Sequence, residues 1–360
     1  MSAYDIAGYA ADALASLTPE EIEFLRELPK AELHAHLNGS IPIPLLQKIA
    51  NEADFSSSAI SSDAVKAGIE QLKTGVVFNE LHDFFGLFPA IYALTATPET
   101  LAEAARAVLA QFLEPDPVSP KGQPMAAYLE LRSTPRTTPN MSRKQYLEAV
   151  LDEVERYPVE RAALIVSLDR RMDAKTAEEI VSLAIKLRQE GRRVVGVDLC
   201  GDPLAGNMDN FEQYFKRVKE AGLGVTLHIA ETSENTHEDT LKLLSFSPDR
   251  LGHATFLDTD ARDVVFSNNA CVEICLSSNL LCKTVSILEE HHIRHYLEAN
   301  HPIAVCTDDT LPFRNNLLGE YALLLAKEPL GLGLTREEVE RIARMSMASR
   351  FASPVSKTAQ

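Results

Sequence analysis

Eight short apolar runs rich in β-branched residues punctuate the chain, at 31–37, 127–131, 163–168, 194–199, 224–229, 250–256, 271–276 and 302–307. Stretches with helical amphipathic spacing separate most of them, at 142–157, 174–190, 210–221 and 287–300. Strands that are apolar on both faces need cover on both sides, which a parallel sheet obtains from its crossover helices. Eight such units predict an α/β fold closed as a (β/α)8 TIM barrel. One domain over 18–355 then accounts for nearly the whole chain. A helix is predicted to begin at Thr18, because Thr18-Pro19-Glu20-Glu21 combines an N-cap hydroxyl, proline at the first helical position and an acid three residues on. Residues 1–17 are expected to be a disordered N-terminal segment, since the stretch to about Asp12 shows no periodicity.

The connection after the first strand is too long for a simple crossover. It holds a serine-rich patch at 56–62, a helix carrying Phe84, Phe85 and Phe88, a second helix over 98–113 and a proline-rich loop at 115–124. A helical insertion of that size on the upper face of a barrel reads as a lid or pocket wall. Phe84 and Phe88, at i, i+4 spacing, either pack inward or offer a surface to a planar apolar ligand.

Composition narrows the function. A net charge of −17 argues against long nucleic acids, whose affinity rests on Lys and Arg neutralising phosphates, but leaves room for a single small anion where cations gather. No apolar run approaches 18 residues, and the first thirty residues lack the basic start of a secretion signal, so no membrane partner and a cytoplasmic, monomeric protein are expected. The cysteines (Cys200, Cys271, Cys275, Cys282, Cys306) are odd in number and read as small buried residues, not as a metal or disulfide framework.

Polar residues at the ends of barrel strands carry chemistry. In the segment Glu32-Leu-His34-Ala-His36-Leu-Asn-Gly39 the period of two sends both imidazoles to one face. Further strand ends supply Asp198, Gly201 and Asp202, then His228-Ile-Ala-Glu231, His253, Ser277 to Asn279, and Asp308-Asp309. Zinc chemistry sorts them: His34, His36 and His228 offer nitrogens and Asp308 an oxygen, leaving a place for a water whose pKa falls towards ~7 on one Zn2+ ion per chain. Glu231 suits a proton shuttle, His253 suits orienting the nucleophile, and Asp309 suits holding substrate or taking a proton from the water.

Five motifs in order, Leu28-Pro-Lys-Ala-Glu-Leu-His34-Ala-His36-Leu-Asn-Gly39, Val197-Asp-Leu-Cys-Gly201-Asp202, His228-Ile-Ala-Glu231, Arg250-Leu-Gly-His253 and Thr307-Asp308-Asp309, resemble the adenosine deaminase family of metal-dependent hydrolase barrels. The resemblance implies that Glu231 protonates the purine N1, that His253 and Asp309 position the nucleophile and the ring, and that Gly201 presents its backbone amide to the base, with Asp202 beside it at the same strand end. Adenosine deaminases carry an aspartate where this chain has Asn38. An aspartate there repels a 5′-phosphate and an asparagine does not. Arg132-Ser-Thr134-Pro-Arg136 at the second strand end and Lys283 after the seventh bring local cations and hydroxyls, so Thr134, Arg136 and Lys283 are expected at a phosphate, as is Arg132 should it replace Arg136. These departures resemble the adenosine deaminase-like branch and imply hydrolysis of N6-methyl-AMP to IMP and methylamine in nucleotide salvage. Plain adenosine deamination and a catalytically inactive purine binder are the alternatives.

Overall fold

The computed structural model describes residues 6–52, 62–74 and 86–351. Its centre is one parallel sheet whose strands follow sequence order: β1 Ala31–His36, β2 Tyr128–Ser133, β3 Ala162–Asp169, β4 Val194–Cys200, β5 Gly224–Ile229, β6 Arg250–His253, β7 Cys271–Ile274 and β8 Ile303–Val305. The last strand returns to the first. Asp308 donates its N–H to the His34 carbonyl at 2.8 Å, and His36 donates to the Asp308 carbonyl at 3.2 Å. The Glu32 carboxylate spans the same seam, accepting from the amides of His34 (2.8 Å) and Thr307 (3.0 Å). The sheet is thus a (β/α)8 barrel of the TIM type.

All eight predicted runs form strands, and the late ones stop early for local reasons. The run at 250–256 ends at His253 because His253 and Ala254 adopt left-handed backbone angles (φ 62° and 48°). The run at 271–276 ends where the helix Leu276–Leu281 begins. The helical stretch at 287–300 resolves into a 3-10 turn, Leu288–Glu290, and a short helix, Ile293–Glu298. After β1 the insertion contributes the helices Ile43–Glu52, Asp63–Thr74, Phe88–Leu94 and Pro98–Leu113.

The N-terminal expectation needs correcting. Residues Gly8–Ser16 form a helix, not irregular chain, and it buries Ala10, Ala13 and Leu14. Nine residues cannot sustain a helix alone in water. Docking on the helix Leu317–Leu325 stabilises this one, with Gly319 leaving room for the Ala10 methyl and Ala7 donating to the Arg314 carbonyl at 2.8 Å. Thr18 and Glu21 make the expected reciprocal capping bonds at the next helix, Pro19–Glu27.

The barrel interior departs from the aliphatic layers that continuous apolar strands suggest. Glu130 and Arg132 on β2, Asp198 on β4, Arg250 on β6 and Glu273 on β7 are all buried there. Arg250 bridges Glu130 and Glu273 at 2.7 Å each, and Arg132 reaches Glu273 at 2.8 Å and Asp198 at 3.6 Å. Charges of opposite sign thus compensate one another out of contact with water. Below them Phe351 closes the floor under the Arg250 guanidinium, against Gly196 and Gly224.

Candidate active site

Above this ionic layer the strand ends open into a cavity of about 1100 Å³, lined by residues that include His36, Asn38, Phe88, Tyr92, Arg136, Gly201, Asp202, His228, Glu231, His253, Asp308 and Asp309. That volume suits a nucleotide-sized ligand.

The four metal-ligand candidates converge at its base. His36 Nε2 and His228 Nε2 lie 3.2 Å apart, and Asp308 Oδ1 lies 3.5 Å from His36 Nε2 and 3.6 Å from His34 Nε2. Donors placed 2.0–2.1 Å from a tetrahedral cation sit roughly 3.3 Å from one another, and these three separations are compatible with such an ion. His34 Nε2 is buried without a hydrogen-bond partner among the described residues, an otherwise costly state that a cation would relieve. The ring orientations are fixed from behind. His34 donates through Nδ1 to Glu273 (2.7 Å), and His228 donates through Nδ1 to Asp198 (3.0 Å), which turns both Nε2 lone pairs towards the cavity. Burial, followed by the Arg132 guanidinium, holds the His34 pKa well below its usual range, which keeps the ring neutral and ligating. Gly252 lets the ring settle, since a Cβ there would meet His34 Cε1 at 2.8 Å. Two groups of three are also compact, His34 with His228 and His253, and His34 with Cys275 and Asp308. Burial raises the Cys275 pKa well above its usual value, so its thiol stays protonated and ligates poorly.

Glu231 enters the cavity because Ala230 turns left-handed (φ 47°) and Asn235 Oδ1 accepts the Glu231 amide at 3.0 Å. Its Oε2 is enclosed and lacks a partner among the described residues, and its Oε1 lies 3.6 Å from His253 Nε2. Asp308, left-handed at φ 63°, accepts from Ser278 Oγ at 2.8 Å. Burial, then the carboxylates of Asp308 and Glu231, push the Asp309 pKa well above normal. Asp309 rests on Gly39, where a Cβ would fall 1.7 Å from its Oδ1. The glycine after Asn38 is therefore required by this contact.

At the other end, Asn38 Oδ1 accepts from Arg136 Nη1 (3.2 Å) and from Tyr146 Oη (3.3 Å), so its amide nitrogen points away with no partner among the described residues. Arg136 lies over the Tyr92 ring at 3.7 Å and donates to Thr95 Oγ1. Arg132, Arg143 and Arg171 also line the cavity, but each is ion-paired, to Glu273 and Asp198, Glu179 and Asp169 respectively. No carboxylate among the described residues pairs with Arg136.

Several expectations change on this geometry. Arg132 is fully buried in the interior ion layer and is not a phosphate ligand. Lys283 is exposed beyond the helix Leu276–Leu281 and does not line the cavity. Cys282 is exposed, in contrast to the other four cysteines, and both it and the buried Cys200 line the cavity. Phe88 and Thr134 line it. Phe84 lies outside the described residues. Asp202 lines the rim, where its Oδ1 also caps the turn through the Leu204 amide at 3.0 Å. Tyr92, Tyr146 and Glu273 were not legible beforehand, since isolated aromatic and acidic residues in apolar stretches carry no local signal.

The adenosine deaminase family model matches residues 29–359. The chain belongs to the adenosine deaminase family. Within it, the N6-methyl-AMP deaminase of Danio rerio is 34% identical over 91% of this chain and 92% of its own, and that of Homo sapiens is 33% identical over 93% and 92%. The apo structure of the Arabidopsis thaliana N6-methyl-AMP deaminase superimposes with a TM-score of 0.78 at 32% identity, covering 92% of this chain and 95% of that one. Crystal structures of the Arabidopsis protein ADAL complexed with GMP and with IMP align with the same TM-score. This adenosine deaminase family member is a hydrolytic purine deaminase. Among its described residues no helix is long and apolar enough to cross a membrane.

The ion layer beneath the adenosine deaminase site gives the fold an acid limit. Burial alone would raise the pKa of Glu273, but Arg132 and Arg250 overcome it and hold it at about 2. That value lies below the ordinary 4.5, so the unfolded chain binds more protons between the two. Stability from Glu273 is present above about 4.5 and lost as pH falls towards 2. Asp198, lowered by His228 and Arg132 against burial, adds in the same direction, whereas Glu32 and Glu320, raised by burial to about 7, titrate above this window. The unfolding midpoint measured from pH 5 to pH 2 should drop steeply; a flat profile would contradict this assignment.

Proposed function

We propose that this chain is a zinc-dependent N6-methyl-AMP deaminase, producing IMP and methylamine in nucleotide salvage. The observation that carries the reading is the pairing of Asn38 with Arg136. A neutral amide occupies the guanidinium's flank without cancelling its charge. A 5′-phosphate is the group such a pair accommodates, through charge-assisted bonds from Arg136 and neutral ones from Asn38 and Thr134. Having a single uncompensated arginine among the described residues of the cavity fits one phosphate group. The relatives named N6-methyl-AMP deaminase and the IMP complex of the Arabidopsis protein support the same choice.

His34, His36, His228 and Asp308 would hold the zinc, which supplies a water-derived nucleophile at neutral pH. Glu231 gives its proton to the purine N1, which makes C6 electrophilic. His253, 3.6 Å from Glu231 and 3.9 Å from Asp308, holds the nucleophile on line for C6. Asp309 hydrogen-bonds the ring from the far side, and the Gly201 amide fixes the base edge. Collapse of the tetrahedral carbon breaks the C6–N bond and expels methylamine, which takes up the proton that the added hydroxyl gives up through His253, while the proton from Glu231 stays on N1 of IMP.

Purified, metal-loaded protein offered N6-methyl-AMP, AMP, adenosine and N6-methyladenosine should convert the methylated nucleotide to IMP at the highest kcat/KM. Turnover confined to the nucleosides would overturn the reading of Asn38, and absence of turnover on all four would favour a purine-binding role. The cation is checked separately: elemental analysis should find one zinc per chain.

A further inference from the structure

His253 and Ala254 are consecutive residues in the left-handed region, a conformation that neither side chain favours and that surrounding contacts must impose. The turn is held at the neighbouring strand end: the Ala254 amide donates to the Gly252 carbonyl at 2.8 Å and to the Ile229 carbonyl at 3.1 Å, and the Phe256 amide to the Ala230 carbonyl at 2.9 Å. Their carbonyls point the other way, into a buried aromatic cluster. There His292 Nε2 donates to the His253 carbonyl at 2.9 Å and Tyr296 Oη to the Ala254 carbonyl at 3.3 Å. His292 is itself fixed. Its ring stacks on His291 at 4.4 Å between centroids, and His291 is locked by the Ile293 amide on Nδ1 (3.1 Å) and by Asn279 Oδ1 on Nε2 (3.2 Å). His291, His292 and Tyr296 are all buried, and none of them lines the cavity.

We propose that His292 is a positioning residue for deamination: its Nε2–H, seated on the carbonyl of His253, holds that residue left-handed and keeps its imidazole aimed at Glu231 and Asp308. Without this donor a buried carbonyl is left unsatisfied, and the dipeptide relaxes towards ordinary backbone angles. The imidazole then swings out of line while the phosphate and base contacts stay intact. The proposal rests on the role given to His253 above.

His292→Phe keeps a ring of similar size and removes the donor, while His292→Gln places an amide N–H where Nε2 stood. The Phe variant should lose roughly 10- to 100-fold in kcat on N6-methyl-AMP with KM within about twofold, as expected for misplacement of one group by about an ångström, and the Gln variant should recover most of the loss. In 13C-histidine-labelled protein, the His253 ring signal, assigned through His253→Gln, should shift in the Phe variant and return in the Gln variant. An unmoved signal, or a Gln variant as slow as the Phe variant, would overturn the proposal. Should His292→Phe not fold, Tyr296→Phe removes only the hydroxyl on the adjacent carbonyl, and the same signal shift must appear there. Activity surviving in His253→Gln would instead refute the role of His253 in the reaction, while the ring signal would still decide whether His292 holds it.

Discussion

Asn38→Asp is expected to lower kcat/KM for N6-methyl-AMP by about two to three orders of magnitude and to shift preference towards the unphosphorylated nucleoside. Two effects act together. The new carboxylate lies within hydrogen-bond reach of Arg136, where Asn38 Oδ1 now accepts at 3.2 Å, and neutralises the guanidinium that would meet the phosphate. It also places a negative charge close to the phosphate itself. At about 4 Å and an effective dielectric near 20, one such repulsion is on the order of 4 kcal/mol, and partial screening by Arg136 reduces but does not cancel it. The nucleoside carries no charge and gains an acceptor for its 5′-hydroxyl. Kinetics on the matched pair N6-methyl-AMP and N6-methyladenosine check this. Equal losses on both substrates would mean that Asn38 shapes the loop and does not select charge. Arg136→Met, a neutral side chain of similar reach, should reproduce the nucleotide loss without the nucleoside gain, which separates removal of the cation from addition of the anion.

The same residues show how far the sequence could be read. The barrel was legible because its strands are buried on both faces and so are largely apolar, and because many of the polar residues that break the pattern fall at the strand ends, where the cavity lies. The histidine and aspartate set was legible because a period of two and the recurrence of strand ends place these donors together before any coordinates are known. The interior ion layer was not. Glu130, Arg250 and Glu273 each sit alone in an apolar run, and a single charge in a strand looks the same whether it faces solvent or an opposite charge from a strand more than twenty residues away. Arg132 was misread for that reason, as a rim cation, when the pleat turns it inward onto Glu273 and Asp198, and it is Arg136, four residues on, that faces the cavity without a carboxylate partner among the described residues. Lys283 failed differently: proximity in sequence to the seventh strand does not fix direction, and the short helix after it carries the lysine outward. His292 gave no signal at all, because its partner is a backbone carbonyl whose left-handed setting is invisible in the residue types around it.

Glu231→Gln is expected to reduce kcat by about three orders of magnitude while leaving metal content and affinity for IMP close to those of the unaltered protein. Glutamine preserves the shape and the hydrogen-bonding reach of the side chain but has no transferable proton, and a positioned general acid is worth roughly 10²–10⁴ in rate. The residue is distinguished from its neighbour Asp309 by its surroundings. Both carry an enclosed oxygen unpartnered among the described residues, Glu231 Oε2 and Asp309 Oδ1, but Glu231 is brought into the cavity by the left-handed Ala230 and faces His253, whereas Asp309 is held against Gly39. Asp309→Asn, which retains an N–H donor for the ring, should therefore be impaired far less in kcat than Glu231→Gln and more in KM. Both variants measured on N6-methyl-AMP, with zinc counted by elemental analysis, settle which carboxyl moves the proton. The reverse ranking, with Glu231→Gln retaining most of its turnover and Asp309→Asn losing it, would transfer the acid role to Asp309, whose proton affinity the flanking carboxylates already raise.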